Sequence, residues 1–358
     1  MNRFTRGPLR ASRLARLASH AAVPLASFGL ALALIAALIA LSSPDPLSSV
    51  ASFFTRPFSS AWYLGNTLDM AGLLILAGTG SAVALRAGAF NLGGEAQIYA
   101  PALASAVILA GGAPRAAAAL GLPPIATAFL ALAAAIALGG ALGFIPGILR
   151  ARLGISELLS SFLLSAALIP VADYLVSGPF RDTAGNLVAT KPIGDALALR
   201  SILPPSHLNV SFFVALAVAV AAWFFLSRTE PGYRLRMTGS ARDFARFAGF
   251  PVARAAALAM AVSGALHGLA GYFAVTGTWY RCHEGFSSGM GWSALAIALV
   301  ARRNPLAVIP AAIAFSWLET ASDAATLSAS LSFDATPLIQ AIIFLVVSAR
   351  YLPFRRKS

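Results

Sequence analysis

Residues 22–41 read AVPLASFGLALALIAALIAL, and the 21 residues ahead of them carry Arg3, Arg6, Arg10, Arg13 and Arg16 with no acidic residue. A basic flank followed by an apolar run opens both secretory leaders and membrane helices. A cleaved leader has an apolar core of about 7 to 15 residues. This run has 20, the length that carries an α-helix across a bilayer at about 1.5 Å per residue. The rest of the chain decides between the two. Apolar segments recur at 67–86, 92–112, 124–147, 156–177, 208–227, 253–276, 289–301, 305–322 and 335–351, so 22–41 is expected to be the uncleaved first of ten crossings.

Composition agrees. Of 358 residues, 58% are hydrophobic and 11% charged, under half the ~25% charge of a soluble domain. Lys and Arg number 26 against 13 acids. With the amino terminus cytoplasmic, 20 of those basic residues fall on the cytoplasmic side and 6 outside, the asymmetry that orients helices during insertion. The basic excess therefore records topology, and no nucleic-acid partner is expected. The expected fold is an all-α polytopic membrane protein of about ten transmembrane helices with both termini cytoplasmic. Basic tails cover 1–21 and 352–358, and the transmembrane domain covers 22–351. An ordered external cap is expected over 178–207 and a cytoplasmic loop over 228–252; 42–66 is a second long external segment. One cysteine, Cys282, excludes an intrachain disulfide, and His20, His207, His267 and His283 lack metal-ligand spacing.

The third segment is interrupted at its start. Residues 88–97 read GAFNLGGEAQ, with Pro101 a turn later. Such a stretch cannot face lipid and must face protein or water. Asn91 is placed to cap the helix, and Glu95 in its first turn suits the positive end of the dipole. Two readings stand: a broken helix lining a solute path through Asn91, Gly93, Gly94, Glu95 and Gln97, or close packing through glycine. An echo of the Phe-x-x-Gly pattern follows the seventh segment, at Phe286 and Gly289. The two copies run in opposite directions, so an inverted repeat is expected.

Residues 240–249 in the cytoplasmic loop carry helix start and stop signals, with Ser240 as N-cap, Asp243 completing an acidic capping box and Gly249 as left-handed C-cap. Ala241, Phe244, Ala245 and Ala248 make one small apolar face, with Arg242 and Arg246 opposite. This segment fits either a groove on a soluble partner or an anionic lipid surface. No P-loop, HExxH or GxSxG pattern occurs, so the chain has no ATPase site of its own and no catalytic constellation. A rival reading is an ion-coupled carrier using Glu95, Glu157, Asp173, Glu319 or Asp323, with His267 as a relay or an interhelical hydrogen bond.

GAFNLGGEAQ, the stretch GYRLRMTGSARDFARFAGF at 232–250, SGALHGLAG at 263–271 and ALAIALVARRNPL at 294–306 together resemble the permease subunits of bacterial ABC importers of the ribose, nucleoside and branched-chain amino acid class. Within that class the resemblance is greatest to the nucleoside and simple-sugar branch, which includes riboflavin permeases, and it covers most of 60–350. Ala96 stands where the family usually has glycine. The resemblance implies a permease in the bacterial inner membrane, paired with a second, homologous or identical, permease subunit. It further implies ABC ATP-binding subunits that hold ATP and magnesium, and an extracytoplasmic solute-binding lipoprotein. The solute is then a nucleoside, simple sugar or riboflavin-like molecule. By the same implication Asn91 to Gln97 lie by the translocation path. Gly232, Arg234, Gly239, Ser240, Arg242, Asp243, Phe244, Ala245, Arg246 and Gly249 would belong to the ATPase-coupling segment.

Overall fold

The computed structural model describes residues 29–111, apart from positions 31, 38, 42 and 44, and residues 123–328. The tails 1–21 and 352–358, the span expected at 335–351 and positions 22–28 of that expected at 22–41 lie outside the described residues. Residues 55–321 form one unit, and 1–54 with 322–358 form another. In the second unit an apolar helix covers Leu32–Leu41. Helix α1 (Pro46–Thr55) follows it, with Asp45 Oδ1 accepting from the Ser48 amide at 3.3 Å. The segment expected as an external loop at 42–66 is thus largely helical.

The unit of residues 55–321 is built from α2 (Ala61–Arg86), α3 (Gly94–Ala110), α4 (Pro124–Leu153), α5 (Glu157–Ser177), α6 (Ser211–Arg228), α7 (Glu230–Ser240), α8 (Arg242–Phe247), α9 (Val252–Phe273), α10 (Met290–Val300) and α11 (Pro305–Ser328). The last of these runs past the unit's end. A π-helical segment, Ala274–Trp279, prolongs α9. Among the described residues six helices are long and apolar enough to cross a membrane: α2, α4, α5, α6, α9 with its extension, and α11. Eight of the expected segments therefore appear as helices, but α3 and α10 have only 17 and 11 residues. At 1.5 Å per residue they reach about 26 and 17 Å, short of the ~30 Å hydrocarbon core. They are buried between other helices, which replace lipid as their surroundings.

Helix α2 is buried on nearly every side because it is poor in bulk where neighbours approach. A Cβ on Gly72 would lie 3.1 Å from the Phe212 backbone of α6. One on Gly78 would lie 3.1 Å from Ile297 of α10 and Val308 of α11, and one on Gly80 would lie 2.8 Å from the Ser263 carbonyl of α9. The outer helices show the opposite asymmetry. Along α4 the inward residues Thr127, Ala131, Ala135, Gly139, Gly143 and Gly147 recur every fourth position, while Phe129, Leu130, Phe144 and Ile145 face outward. On α5 Ser161 and Ser165 point in and Leu159, Phe162 and Leu163 point out. Small faces allow helices to approach closely where lipid supplies no hydrophobic drive for association. The α4–α9 crossing carries this furthest, with Gly139 and Gly143 of α4 against the backbone of Met260, Gly264 and Gly268 of α9.

At one end of the unit the cap over 178–207 is ordered and contains no long helix, only the three-residue turn Asp195–Leu197. Main-chain bonds pin it to the segment after α9: Thr190 N–H to Cys282 O, Ile193 N–H to Tyr280 O and Leu199 N–H to Thr276 O, each 2.8 Å. Beneath it Asp69 of α2 is buried and accepts from Asn209 Nδ2 at 2.9 Å and Thr278 Oγ1 at 2.7 Å.

Candidate functional site

The polar stretch before α3 folds into a closed cluster where α3, α9 and α10 cross. Asn91 Nδ2 donates to Gln97 Oε1 at 2.7 Å and to Ser263 Oγ at 2.9 Å, and Gln97 Nε2 returns a bond to Asn91 Oδ1 at 3.0 Å. Asn91 Oδ1 also accepts from the Gly93 amide at 3.0 Å. This corrects the expected cap. Gly93, not Asn91, is the N-cap residue, because the Asn91 amide has partners on two elements. Serines of α5 take up part of the freed backbone: Ser161 Oγ accepts from Leu92 N–H and Ser165 Oγ from Ala96 N–H, each at 3.0 Å. Asn91, Glu95 and Gln97 are all buried.

Glu95 serves a different helix from the one expected. Its carboxylate accepts from the amides of Gly289 at 3.3 Å and Trp292 at 3.1 Å, at the N-terminus of α10. A carboxylate there satisfies otherwise orphaned donors and opposes the positive dipole end. Gly94 and Gly291 make the approach possible, since a Cβ on Gly94 would lie 3.0 Å from Gly291 Cα. The two short helices thus begin against each other, at the two Phe-x-x-Gly stretches. Glu95→Ala is expected to cost about 2–3 kcal/mol, the scale of charge-assisted bonds lost with donors left unpaired, and Glu95→Gln less because its amide keeps one acceptor. Thermal unfolding of purified protein measures both; an unchanged midpoint for Glu95→Ala would remove the capping role.

A second polar junction lies at the other end from the cap. Glu157 Oε1 pairs with Arg150 and accepts from Phe90 N–H at 3.3 Å, and Arg150 donates to Gly88 O at 3.1 Å. Gly88, at φ +72°, is pressed from the other side by Gly239: a Cβ on Gly88 would lie 2.9 Å from Gly239 Cα. The turn between α2 and α3 is therefore held between the Arg150–Glu157 pair and the end of α7.

The loop over 228–252 holds two helices where one was expected. Thr229 caps α7, its Oγ1 accepting from Gly232 N–H at 3.2 Å. Gly232 lets the chain fold back on Phe225 and Leu226. Arg234 pairs with Glu230 at 2.5 Å and lies over the Phe250 ring at 5.6 Å. Ser240 ends α7, its hydroxyl donating to Arg236 O at 2.9 Å, so the expected capping box does not form and Ala241 is the N-cap residue of α8. Asp243 instead lies 3.9 Å from Arg246. The stop signal holds: Gly249 has φ +76°, its amide donates to Arg246 O at 3.0 Å, and that of Phe250 donates to Ala245 O at 2.9 Å, a Schellman closure. The expected apolar face divides. Ala245 is buried, Phe244 is 57% exposed, and Phe247 is 93% exposed. Phe247 escaped the spacing argument because it lies one turn from Phe244 but off the alanine ladder. Arg242 is held below the ordinary arginine range by loss of solvent and by Arg150 and Arg246, which places α8 beside the Arg150–Glu157 junction.

Asp69 was also missed, although a carboxylate inside an apolar span is itself a signal. Among the candidate carrier groups, Glu95 and Glu157 are bonded as above. Asp173 accepts from Tyr99 Oη at 2.6 Å and from Gly285 N–H at 3.0 Å, and Glu319 accepts from Ser293 Oγ at 3.3 Å.

Residues 63–348 match the family described as branched-chain amino acid transport system / permease component. The chain is 40% identical over 322 residues to the probable riboflavin import permease protein RfuC of Treponema pallidum (strain Nichols), covering 90% of this chain and 84% of that one. It is 30% identical over 339 residues to the guanosine ABC transporter permease protein NupP of Bacillus subtilis (strain 168), covering 93% and 94%. It is 28% identical over 331 residues to the glucose ABC transporter permease protein TsgB13 of Haloferax volcanii, covering 89% and 85%. No solved structure gives a significant match.

Proposed function

We propose that this chain, which belongs to the permease-component family of branched-chain amino acid transport systems, is a solute gate moved by nucleotide chemistry on other chains. It is an ABC importer permease and a multi-pass membrane protein, and subunits of this family are not themselves ATPases. Beyond that, our reading is a bacterial inner-membrane subunit of ten crossings with both termini cytoplasmic. It pairs with a second permease, receives solute from an extracytoplasmic binding lipoprotein, and rests on ATP-binding subunits that carry ATP and magnesium. The solute is uncharged and polar: a nucleoside, a simple sugar or a riboflavin-like molecule, the kinds named for its relatives.

The observation that carries this reading is α8. Two exposed phenylalanines stand on a short helix whose base is locked by its own C-cap and by the buried Ala245. An aromatic pair on a rigid mount suits a protein groove better than a mobile lipid surface. Orientation is supported by which ends meet: Arg86 Nε donates to Arg303 O at 2.7 Å, and Arg150 reaches Gly88, so residues that charge counting assigns to the cytoplasmic side share one end. An inverted repeat is supported by α3 and α10 beginning against each other. In the mechanism, closure of the ATP-binding subunits displaces α8 and α7. Gly239 then presses the Gly88 turn, and the start of α3 shifts against α10, switching the side to which the path opens. Family membership favours the importer over the carrier reading, and Glu95, Glu157, Asp173 and Glu319 each serve the fold as hydrogen-bond acceptors.

Reconstitution tests this. Proteoliposomes holding the permease pair, its ATP-binding subunits and binding lipoprotein are expected to accumulate riboflavin, guanosine or glucose only with ATP. Accumulation by the permease alone on an ion gradient would replace the proposal with the carrier.

A further inference from the structure

His267 takes no part in the scheme above, yet it is fully buried on α9. Its Nδ1 lies 2.7 Å from the Ser263 carbonyl oxygen. A carbonyl only accepts, so Nδ1 carries the proton, and the neutral ring presents a lone pair at Nε2. Among the described residues that lone pair has no hydrogen-bond partner. It is aimed at the place where α3 and α10 begin, for a Cβ on Gly94 would lie 3.0 Å from Nε2 and 3.0 Å from Gly291 Cα. An orphaned acceptor in a membrane interior is disfavoured, and a phenylalanine would fill similar space without it. The same residue that binds His267 also ties it to the amide cluster, since Ser263 Oγ accepts from Asn91, which is paired in turn with Gln97. Electrostatically the junction is nearly balanced: two helix N-termini of about half a positive charge each converge on the Glu95 carboxylate.

We propose that His267 Nε2 and the Asn91–Gln97 amide pair form a solute site that opens when the starts of α3 and α10 part. Nε2 accepts a hydrogen bond from an N–H of the solute, and a side-chain amide of the pair donates to an adjacent solute carbonyl. The chemistry selects an uncharged lactam or imide, in which donor and carbonyl are neighbours, and the balanced junction disfavours ions. The inference rests on the alternating-access reading of the previous subsection.

The test uses the reconstituted complex with its ATP-binding subunits and binding lipoprotein. Cys282 is replaced by serine; it is buried, and burial with neighbouring Asp173 pushes its thiol above the ordinary cysteine range. His267→Cys in that background is then exposed to a hydrophilic methanethiosulfonate reagent. Modification is expected to be at least tenfold faster in one of two states, nucleotide-free or vanadate-trapped, than in the other. In parallel, His267→Phe is expected to raise KM at least tenfold for riboflavin or guanosine, whichever the wild type transports, while His267→Asn, which keeps an acceptor, stays within about threefold of wild type. A cysteine unreactive in both states, or a His267→Phe KM within twofold of wild type, overturns the site. Transport of glucose alone overturns the lactam assignment. Accumulation driven by an ion gradient without ATP instead sinks the importer reading itself.

Discussion

Phe247→Asp is expected to abolish most ATP-driven uptake while leaving the permease as stable as wild type. Phe247 is 93% exposed, so a charge there costs the isolated fold almost nothing. If the ring is an anchor in the groove of an ATP-binding subunit, its loss removes a contact worth about 2 kcal/mol or more, a weakening of roughly thirtyfold. Phe244→Asp should act in the same direction but less strongly, since that ring is partly covered already. Gly249→Pro should reproduce the defect by another route. Its amide donates to Arg246 O, and its φ of +76° lies outside what proline allows. Co-purification of the ATP-binding subunit and vesicle uptake measure the effect, and thermal unfolding of the permease alone provides the control. Normal co-purification and uptake by Phe247→Asp would end the docking assignment.

A single methyl group is expected to decide whether α4 and α9 can pack. Gly139→Ala places its Cβ against the Gly264 carbonyl oxygen, with Gly268 Cα and N only 3.0 Å away. These are backbone atoms on both sides, so relief requires separating two helices along their whole glycine-lined seam. A cost of about 3 kcal/mol or more is expected, at the upper end of overpacking. Gly140→Ala, one residue along, meets the Ala261 carbonyl at 3.5 Å and Ala265 Cβ at 3.6 Å, ordinary contacts. It should be neutral, or stabilising by up to about 1 kcal/mol through helix propensity. Gel filtration and thermal unfolding in detergent separate the two. Equal behaviour of the neighbours would mean that the close crossing is absent from the protein in solution.

The helices could be read from composition because lipid-facing surface must be apolar over a fixed length. That α3 and α10 stop short of a full crossing could not, since an apolar run looks the same whether lipid or protein surrounds it. Caps failed for a related reason. Asn91 and Ser240 carry the right chemistry, but Asn91 finds Ser263, 172 positions away, and Ser240 is absorbed by a helix ahead of it that spacing did not reveal. Gly249 succeeded because its requirement is local: a positive φ closing the preceding turn. The polar cluster was flagged by its residues at 88–97, but which helix Glu95 serves depends on a contact nearly two hundred positions along the chain. The coupling role proposed for 232–250 rests on family resemblance, and the segment's most exposed ring emerged only with the three-dimensional arrangement.

The cap over 178–207 is fastened by main-chain atoms. Besides its pins to Cys282, Tyr280 and Thr276, Glu284 N–H donates to Val188 O at 3.0 Å and Asp182 N–H to Ala189 O at 2.8 Å. Any residue other than proline supplies the same amide. Outward groups such as Arg181, Lys191 and Arg200 can therefore be exchanged without loosening the outline on which they stand. The chemistry of this outer face can thus be retuned one side chain at a time while its shape is inherited unchanged.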